Sequence, residues 1–336
     1  MSNATDSEVV VITGASAGAG RVTARAFAER GAKIGLLARG EDGLRGACED
    51  VERAGGEAIV VPTDVADPEQ VETAAETVED AFGPIDVWVN DAMASVFSPA
   101  AEMTAEDYRR VTEVTYLGYV YGTQAALNRM RPRNEGTIVQ VGSALAYRGI
   151  PLQSAYCGAK HAIQGYTESV RTELLHEDCD IQLSMVQMPA MNTPQFEWSK
   201  SRLPQKPQPV PPIYQPEVAA RAIMWTVDHG KDELWVGRST VKAILGNRLI
   251  PRRLDNYLAS GGYDSQLTDE PVAPDRKHNL YEPVAGDFGA HGPFDDQAHD
   301  YSYQLQASMH RRLLALLVGL LATIVTVVLG QRIFSD

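Results

Sequence analysis

The sequence predicts an α/β fold: a doubly wound parallel sheet in a three-layer α/β/α sandwich, followed by a C-terminal extension and one transmembrane helix. Two observations predict it. Through the first two-thirds of the chain, continuous apolar runs alternate with amphipathic stretches. Strands covered on both faces read as unbroken apolar runs, and such strands alternating with helices make a parallel sheet. Near the end, Leu313 to Gly330 runs for 18 residues without a charge.

The elements follow in order. "EVVVITG" is a short apolar strand ending in glycine, and "RVTARAFAERG" is an amphipathic helix closed by glycine. "AKIGLLAR" is the second strand, "GLRGACEDVERAGG" a helix with a glycine stop, and "EAIVVPTDV" the third strand. "PEQVETAAETVEDAFG" opens on proline and ends in glycine, the usual helix asymmetry. "IDVWVN", "GTIVQVGS" and "IQLSMVQ" are further buried strands, with helices from about Thr104 and Gln153 between them. "LPQKPQPVPPIYQP" is too rich in proline for a helix or a central strand. It is either a linker or an ordered lid, and the sheet pattern resumes after it with "PEVAARAIMWTVDHG" and "ELWVG".

The domain boundaries follow: an N-terminal tail at 1–7, one α/β domain at 8–260 with a lid loop at 188–216, an acidic extension rich in Pro and Gly at 261–309, and a membrane anchor at 310–332. The extension reads as a disordered spacer by composition. Its scattered aromatics leave open that it wraps the domain. The 18-residue apolar run would span roughly 27 Å as a helix, close to the bilayer core. His310, Arg311 and Arg312 precede it and only Arg332 follows, which places the main domain on the cytoplasmic side of a single-pass anchor.

A formal net charge of -14 argues against nucleic acid as a partner. The three cysteines, Cys48, Cys157 and Cys179, have no metal-type spacing, and no metal site is expected.

The candidate site begins at "VVVITGASAGAG". Gly14, Gly18 and Gly20, with Ser16 among them, lie on the turn from the first strand into the first helix. Glycine there lets the backbone approach a pyrophosphate, and the helix N-terminus offers amide donors, so this is a Rossmann-type cofactor turn. An acid near the end of the second strand would favour NAD by binding the ribose 2′-hydroxyl. This chain has Ala38 and Arg39 there. A guanidinium can pair with a 2′-phosphate, so NADP(H) is favoured over NAD(H).

"SAYCGAKHA" places Tyr156 and Lys160 four residues apart, one turn apart on one helix face. Ser143 ends an apolar strand thirteen residues earlier. With the glycine turn, this set resembles the short-chain dehydrogenase/reductase family in its compact single-domain branch, over about Glu8 to Leu258. "NDAM" resembles the family's Asn-Asn-Ala-Gly stretch, with Asn90 in the matching place. "TDV" looks like the strand end that frames the adenine, with Asp64 matched. "MPAMNTP" resembles the loop beside the nicotinamide, matched by Pro189 and Thr193.

The resemblance implies Ser143, Tyr156 and Lys160 as catalytic residues, with Tyr156 and Lys160 also at the cofactor. Hydride transfer to a carbonyl needs a proton donor at its oxygen. A cation near a phenol favours phenolate and lowers its pKa, and Lys160 is placed to do this. Ser143 can hold the substrate oxygen. The resemblance also implies that Lys160 bonds the nicotinamide ribose, and that the helices around 104–131 and 153–176 pair subunits into a homodimer or homotetramer.

Two departures stand out. Thr115 occupies the position of a family asparagine that holds a water near the lysine, and Asp91 and Met93 replace an asparagine and a glycine.

The leading expectation is therefore a membrane-anchored, NADP(H)-dependent oxidoreductase acting on a carbonyl or secondary alcohol. The anchor and an apolar lid carrying Phe196 and Trp198 suggest a lipophilic substrate. The alternative is a non-catalytic NADP(H)-binding sensor or scaffold tethered to the membrane.

Overall fold

A computed structural model describes residues 7–273 and 275–311. Seven parallel strands form one sheet: β1 (Val9–Thr13), β2 (Lys33–Ala38), β3 (Glu57–Pro62), β4 (Val87–Asn90), β5 (Thr137–Ser143), β6 (Gln182–Met188) and β7 (Glu233–Trp235). Their spatial order is β7-β6-β5-β4-β1-β2-β3. The order reverses between β1 and β4, and ligands of open α/β sheets bind at the carboxyl ends beside such a switch point.

Side chains leave a strand alternately to its two faces, and here both faces are covered. Val10 and Ile12 face one core with α1 (Gly18–Ala28), α2 (Glu41–Arg53) and α7 (Pro216–His229). Val9 and Val11 face the other with α3 (Pro68–Phe82), α4 (Ala105–Thr112), α5 (Gly118–Met130) and α6 (Ser154–His176). Helix starts match their capping chemistry. Asp67 accepts from the Glu69 amide at 3.0 Å with Pro68 in the first turn of α3, and Thr104 caps α4. The expected helix near Thr104 is interrupted: Glu113–Leu117 widens into a π-helical turn between α4 and α5. Such bulges are frequent at functional sites.

Two helices, α8 (Gly237–Leu249) and α9 (Pro251–Gly261), end the sheet domain. The extension behind them is an ordered wrap in its described part, which removes the spacer reading. Leu280 is fully buried in the α3/α4 core, Phe294 packs with Phe97 and Phe196, and Leu305 on α10 (Tyr303–Met309) enters the opposite core. The lid loop is ordered by this wrap. Gln205–Pro207 pairs antiparallel with Leu267–Pro271, and Ile213–Tyr214 pairs in parallel with Ala298–His299. The apolar run Leu313–Gly330 lies outside the described residues; among those described, no helix is long and apolar enough to cross a membrane.

Candidate active site

The glycine turn links β1 to α1 at the switch point. Gly14 has φ +75°, and a Cβ there would stand 2.9 Å from the Ala92 backbone. At Gly20 a Cβ would meet the Gly14 carbonyl at 2.5 Å. The turn thus packs too closely on its neighbours to carry side chains, and the N-cap Ala17 supplies no side-chain cap to α1. A cleft opens beside it, lined by Gly14, Ser16, Arg39, Asp64 and Met93. Its cavity volume is about 130 Å³, smaller than the roughly 300–1,000 Å³ of small-molecule sites. Thr193 touches Gly18 and Pro189 packs near Gly237, so the loop after β6 closes the other end of the turn.

Three expected cofactor residues are held by bonds within the protein. Asn90 is fully buried, and its side chain turns away from the cleft. It accepts from Trp88 Nε1 at 2.8 Å and donates to Gln140 at 2.9 Å, tying β4 to β5 and α5. Arg39 lines the cleft, but its guanidinium donates to the main-chain carbonyls of Asn279 and of Tyr281, the latter at 2.7 Å. Burial and the neighbouring Arg110 push its pKa down. Asp64 lies at the cleft wall, with a 2.5 Å bond from Arg110.

Ser143 ends β5, its hydroxyl accepting from the Leu145 amide at 3.1 Å. Across from it, α6 begins two residues after Leu152, whose φ of +68° is uncommon for a side chain of that size. The first turns of α6 carry Tyr156 and Lys160. Lys160 is 2% exposed, with its ammonium 5.6 Å from the centre of the Tyr156 ring. The nitrogen donates to the Val141 carbonyl at 2.7 Å and to the Tyr119 hydroxyl at 3.1 Å. The phenol of Tyr156 departs from expectation. Burial raises its pKa well above the ordinary tyrosine value, and Ser143 is the neighbour that opposes the rise. Desolvation disfavours the charged phenolate, and the Cys157 and Asp91 charges add to the rise.

Two site residues carry roles that the sequence reading missed. Tyr119 stands one helical turn after Thr115, and its hydroxyl donates to Val141 O at 2.9 Å while accepting from Lys160. Asp91 accepts from the Gly20 amide, and burial raises its pKa while Lys160 opposes the rise. Lys160 responds in mirror image: burial lowers its pKa and Asp91 raises it. The "NDAM" stretch carried the only available signal, a charge where the resemblance expects an amide. Thr115 is fully buried at the π-helical turn; its hydroxyl accepts from the Ala94 amide and donates to the Ala94 carbonyl, both at 2.9 Å. Of the residues next to the pair, Cys157 has its thiol pushed up by burial, and His161 bonds the Cys157 carbonyl at 2.8 Å.

Known proteins agree with this geometry. Residues 8–202 match the short chain dehydrogenase family. The chain is 37% identical to the uncharacterized oxidoreductase YxnA of Bacillus subtilis, over 83% of this chain and 79% of that one. It is 33% identical to the dehydrogenase/reductase SDR family member 7B of Rattus norvegicus, over 53% of this chain and 56% of that one. Among solved structures, an alcohol dehydrogenase from the archaeon Thermococcus sibiricus, complexed with 5-hydroxy-NADP, superposes with a TM-score of 0.58 at 28% identity. That match covers 68% of this chain and 95% of the archaeal one. With its parallel sheet, its glycine turn at the switch point and the serine, tyrosine and lysine beside it, this chain belongs to the short-chain dehydrogenase family and is an oxidoreductase on a nucleotide-binding Rossmann sheet.

Proposed function

We propose that the chain is an NADP(H)-dependent oxidoreductase that interconverts a lipophilic carbonyl and its secondary alcohol, with Tyr156 as the acid/base. One observation carries the reading: Tyr156 and Lys160 open α6 opposite Ser143 at the end of β5, beside the glycine turn. The fit to a dinucleotide is supported by a glycine turn packed too closely on Ala92 and on itself to carry side chains, beside a cleft lined by Ser16, Arg39 and Asp64. Ser16 at the glycine turn would hold its phosphates, Asp64 its adenosine end, and Pro189 and Thr193 its nicotinamide end, while the Gly18 and Gly20 amides already donate to Gly289 O and Asp91. When bound, the nicotinamide supplies or takes the hydride.

Tyr156 Oη gives its proton to the carbonyl oxygen in reduction and takes it back in oxidation. A phenol held above its ordinary pKa is protonated at neutral pH, the form that reduction requires. Ser143 Oγ orients the same oxygen. Lys160 has three N–H donors and spends two, on Val141 and Tyr119, which leaves one for a ribose hydroxyl. The preference for the 2′-phosphate is supported by Arg39 at the end of β2, where no acid stands.

The lipophilic substrate is supported by the lid. Phe196 packs 6.0 Å from Phe97 and 5.9 Å from Phe294, next to Leu152. Purified protein is to be profiled with NADPH and NADH against long-chain and small polar carbonyls. NADPH consumption confined to apolar carbonyls is the expected outcome, and preference for small polar ones would remove the lipophilic substrate. The uncharged run Leu313–Gly330 supports membrane attachment. The chain should then stay in the pellet when membranes are washed with alkaline carbonate. Pairing through α4 to α6 is to be read from light scattering, with a dimer or tetramer expected.

A second reading has one observation in its favour. The Thr115 hydroxyl is spent on Ala94, so the side chain that would hold a water near Lys160 is closed off. A non-catalytic NADP(H) sensor would bind cofactor and turn over none of the carbonyl panel.

A further inference from the structure

The cofactor cleft has a wall that the sheet domain does not build. After Asn279 the extension crosses the carboxyl ends of the strands, and it is pinned to the cofactor machinery at each step. Its first carbonyls take the Arg39 guanidinium, and Leu280 O accepts from Arg110 Nε at 3.1 Å. Pro283 lies over Gly40 at the start of α2, and the Gly286 amide donates to Asp42 at 2.9 Å. Asp287 drops onto α1, where it pairs with Arg21 over Gly46, whose missing side chain makes the room. Gly289 O accepts from the Gly18 amide at 3.3 Å, at the N-terminus of α1. Beyond it, the Phe294 amide donates to the buried Asn192, in the loop that carries Thr193. The segment therefore runs from the adenosine end of the cleft to the nicotinamide end. Asn279, Val284 and Phe288 line the cleft itself, and Trp198 from the lid meets Phe288 edge to face at 4.5 Å.

A latch holds this segment down from the side. Asp107 of α4 is fully buried and accepts from Tyr281 Oη at 2.6 Å. The same carboxylate takes Lys200 at 2.9 Å and Arg202, both in the lid. Lid and extension thus share one anchor.

We propose that Asn279–Gly289 is a third wall of the dinucleotide site, a strap closed over the adenosine half and latched by Asp107 and Arg21, so that cofactor exchanges only when the strap lifts. This rests on the dinucleotide reading above. A dinucleotide bound in the cleft lies between the glycine turn and the strap, with the Arg39 guanidinium held in place by strap carbonyls. Release then waits for strap opening, a step of the kind that often limits turnover.

The test is NADPH release from the full chain, followed by stopped-flow loss of NADPH fluorescence on mixing with excess NADP⁺. Tyr281→Phe removes the bond to Asp107, and Asp287→Asn removes the carboxylate charge that pairs with Arg21. Each is expected to speed release at least tenfold, and the pair together more. Hydrogen exchange on the wild-type chain gives a second measurement, free of any folding defect: amides of 279–289 should gain protection when NADPH is added. Unchanged release in both variants, or unchanged exchange in the strap, overturns the proposal. If the wild type binds neither NADPH nor NADH in a fluorescence titration while Asp287→Asn binds, the strap is a plug and the wall assignment falls. If no form of the chain binds either dinucleotide, the cofactor reading itself fails and the strap proposal with it.

Discussion

At the scale of single residues, Tyr156 and Lys160 make opposite demands on their surroundings. Replacing the phenol's hydroxyl by Tyr156→Phe should cut carbonyl reduction about a hundred- to ten-thousandfold and leave NADPH titration unchanged. Loss of both would assign Tyr156 to binding alone. Lys160 has a lowered pKa because burial disfavours its charge, with Asp91 as the opposing carboxylate. Between that lowered value and the ordinary lysine value, the unfolded chain binds a proton that the folded chain lacks. The Lys160 contribution to stability therefore rises with pH across that window. Lys160→Met should stabilise the fold most below the window and least above it, by melting at several pH values. Asp91→Asn removes the charge that holds the Lys160 pKa up. The pH–rate limb that depends on Lys160 should move to lower pH, and an unmoved limb would show that the two groups do not interact.

Among the elements, the sequence was informative where structure depends on neighbours in the chain. The inner strands were readable because burial on both faces demands an unbroken apolar run, as in Val9–Thr13, and the half-buried edge strand Glu57–Pro62 from its run Ala58–Val61. The glycine turn was readable because its geometry is local. A Gly14→Ala variant tests that turn: its φ and its contact with Ala92 predict a loss of about 1–3 kcal/mol, seen in urea unfolding, together with weaker NADPH binding. Asp107 was not readable. In sequence it is an ordinary acid in the first turn of α4, and its partners Lys200, Arg202 and Tyr281 lie 93, 95 and 174 residues away. Asp107→Ala leaves two cations near an emptied buried position, and should cost about 3–5 kcal/mol by chemical denaturation. Asn90 was misread for the same reason. Its motif was visible, but the direction of its side chain depends on Gln140 from another strand.

For the whole molecule, the extension is the main departure from what composition suggested. A segment rich in Asp, Gly and Pro reads alike whether it is free or pinned by irregular contacts, since neither state has a period. The aromatics left the second possibility open, and Phe294 is one of the side chains that settle it. Leu280, Phe294 and Leu305 are all buried, and each contributes about 2 kcal/mol of apolar burial. That is a large share of the 5–15 kcal/mol that holds a typical domain together. A chain ending after Gly261 is therefore expected to express as aggregate or to melt well below the full chain, and an unchanged melting temperature would make the extension dispensable.

The burial of Leu280 also bears on how the protein is made. This side chain completes a core otherwise built by residues such as Val65, Val71, Val111 and Val114. At roughly 5–20 residues per second, a ribosome that has released α4 and α5 needs roughly ten to thirty seconds more before Leu280 emerges. During that interval the nascent sheet carries an uncapped apolar socket, and the Asp107 carboxylate gains Lys200 and Arg202 about halfway through but still lacks Tyr281. The N-terminal half thus waits, unsealed, for a segment far downstream, and chaperones that shield apolar surface have their clearest target there.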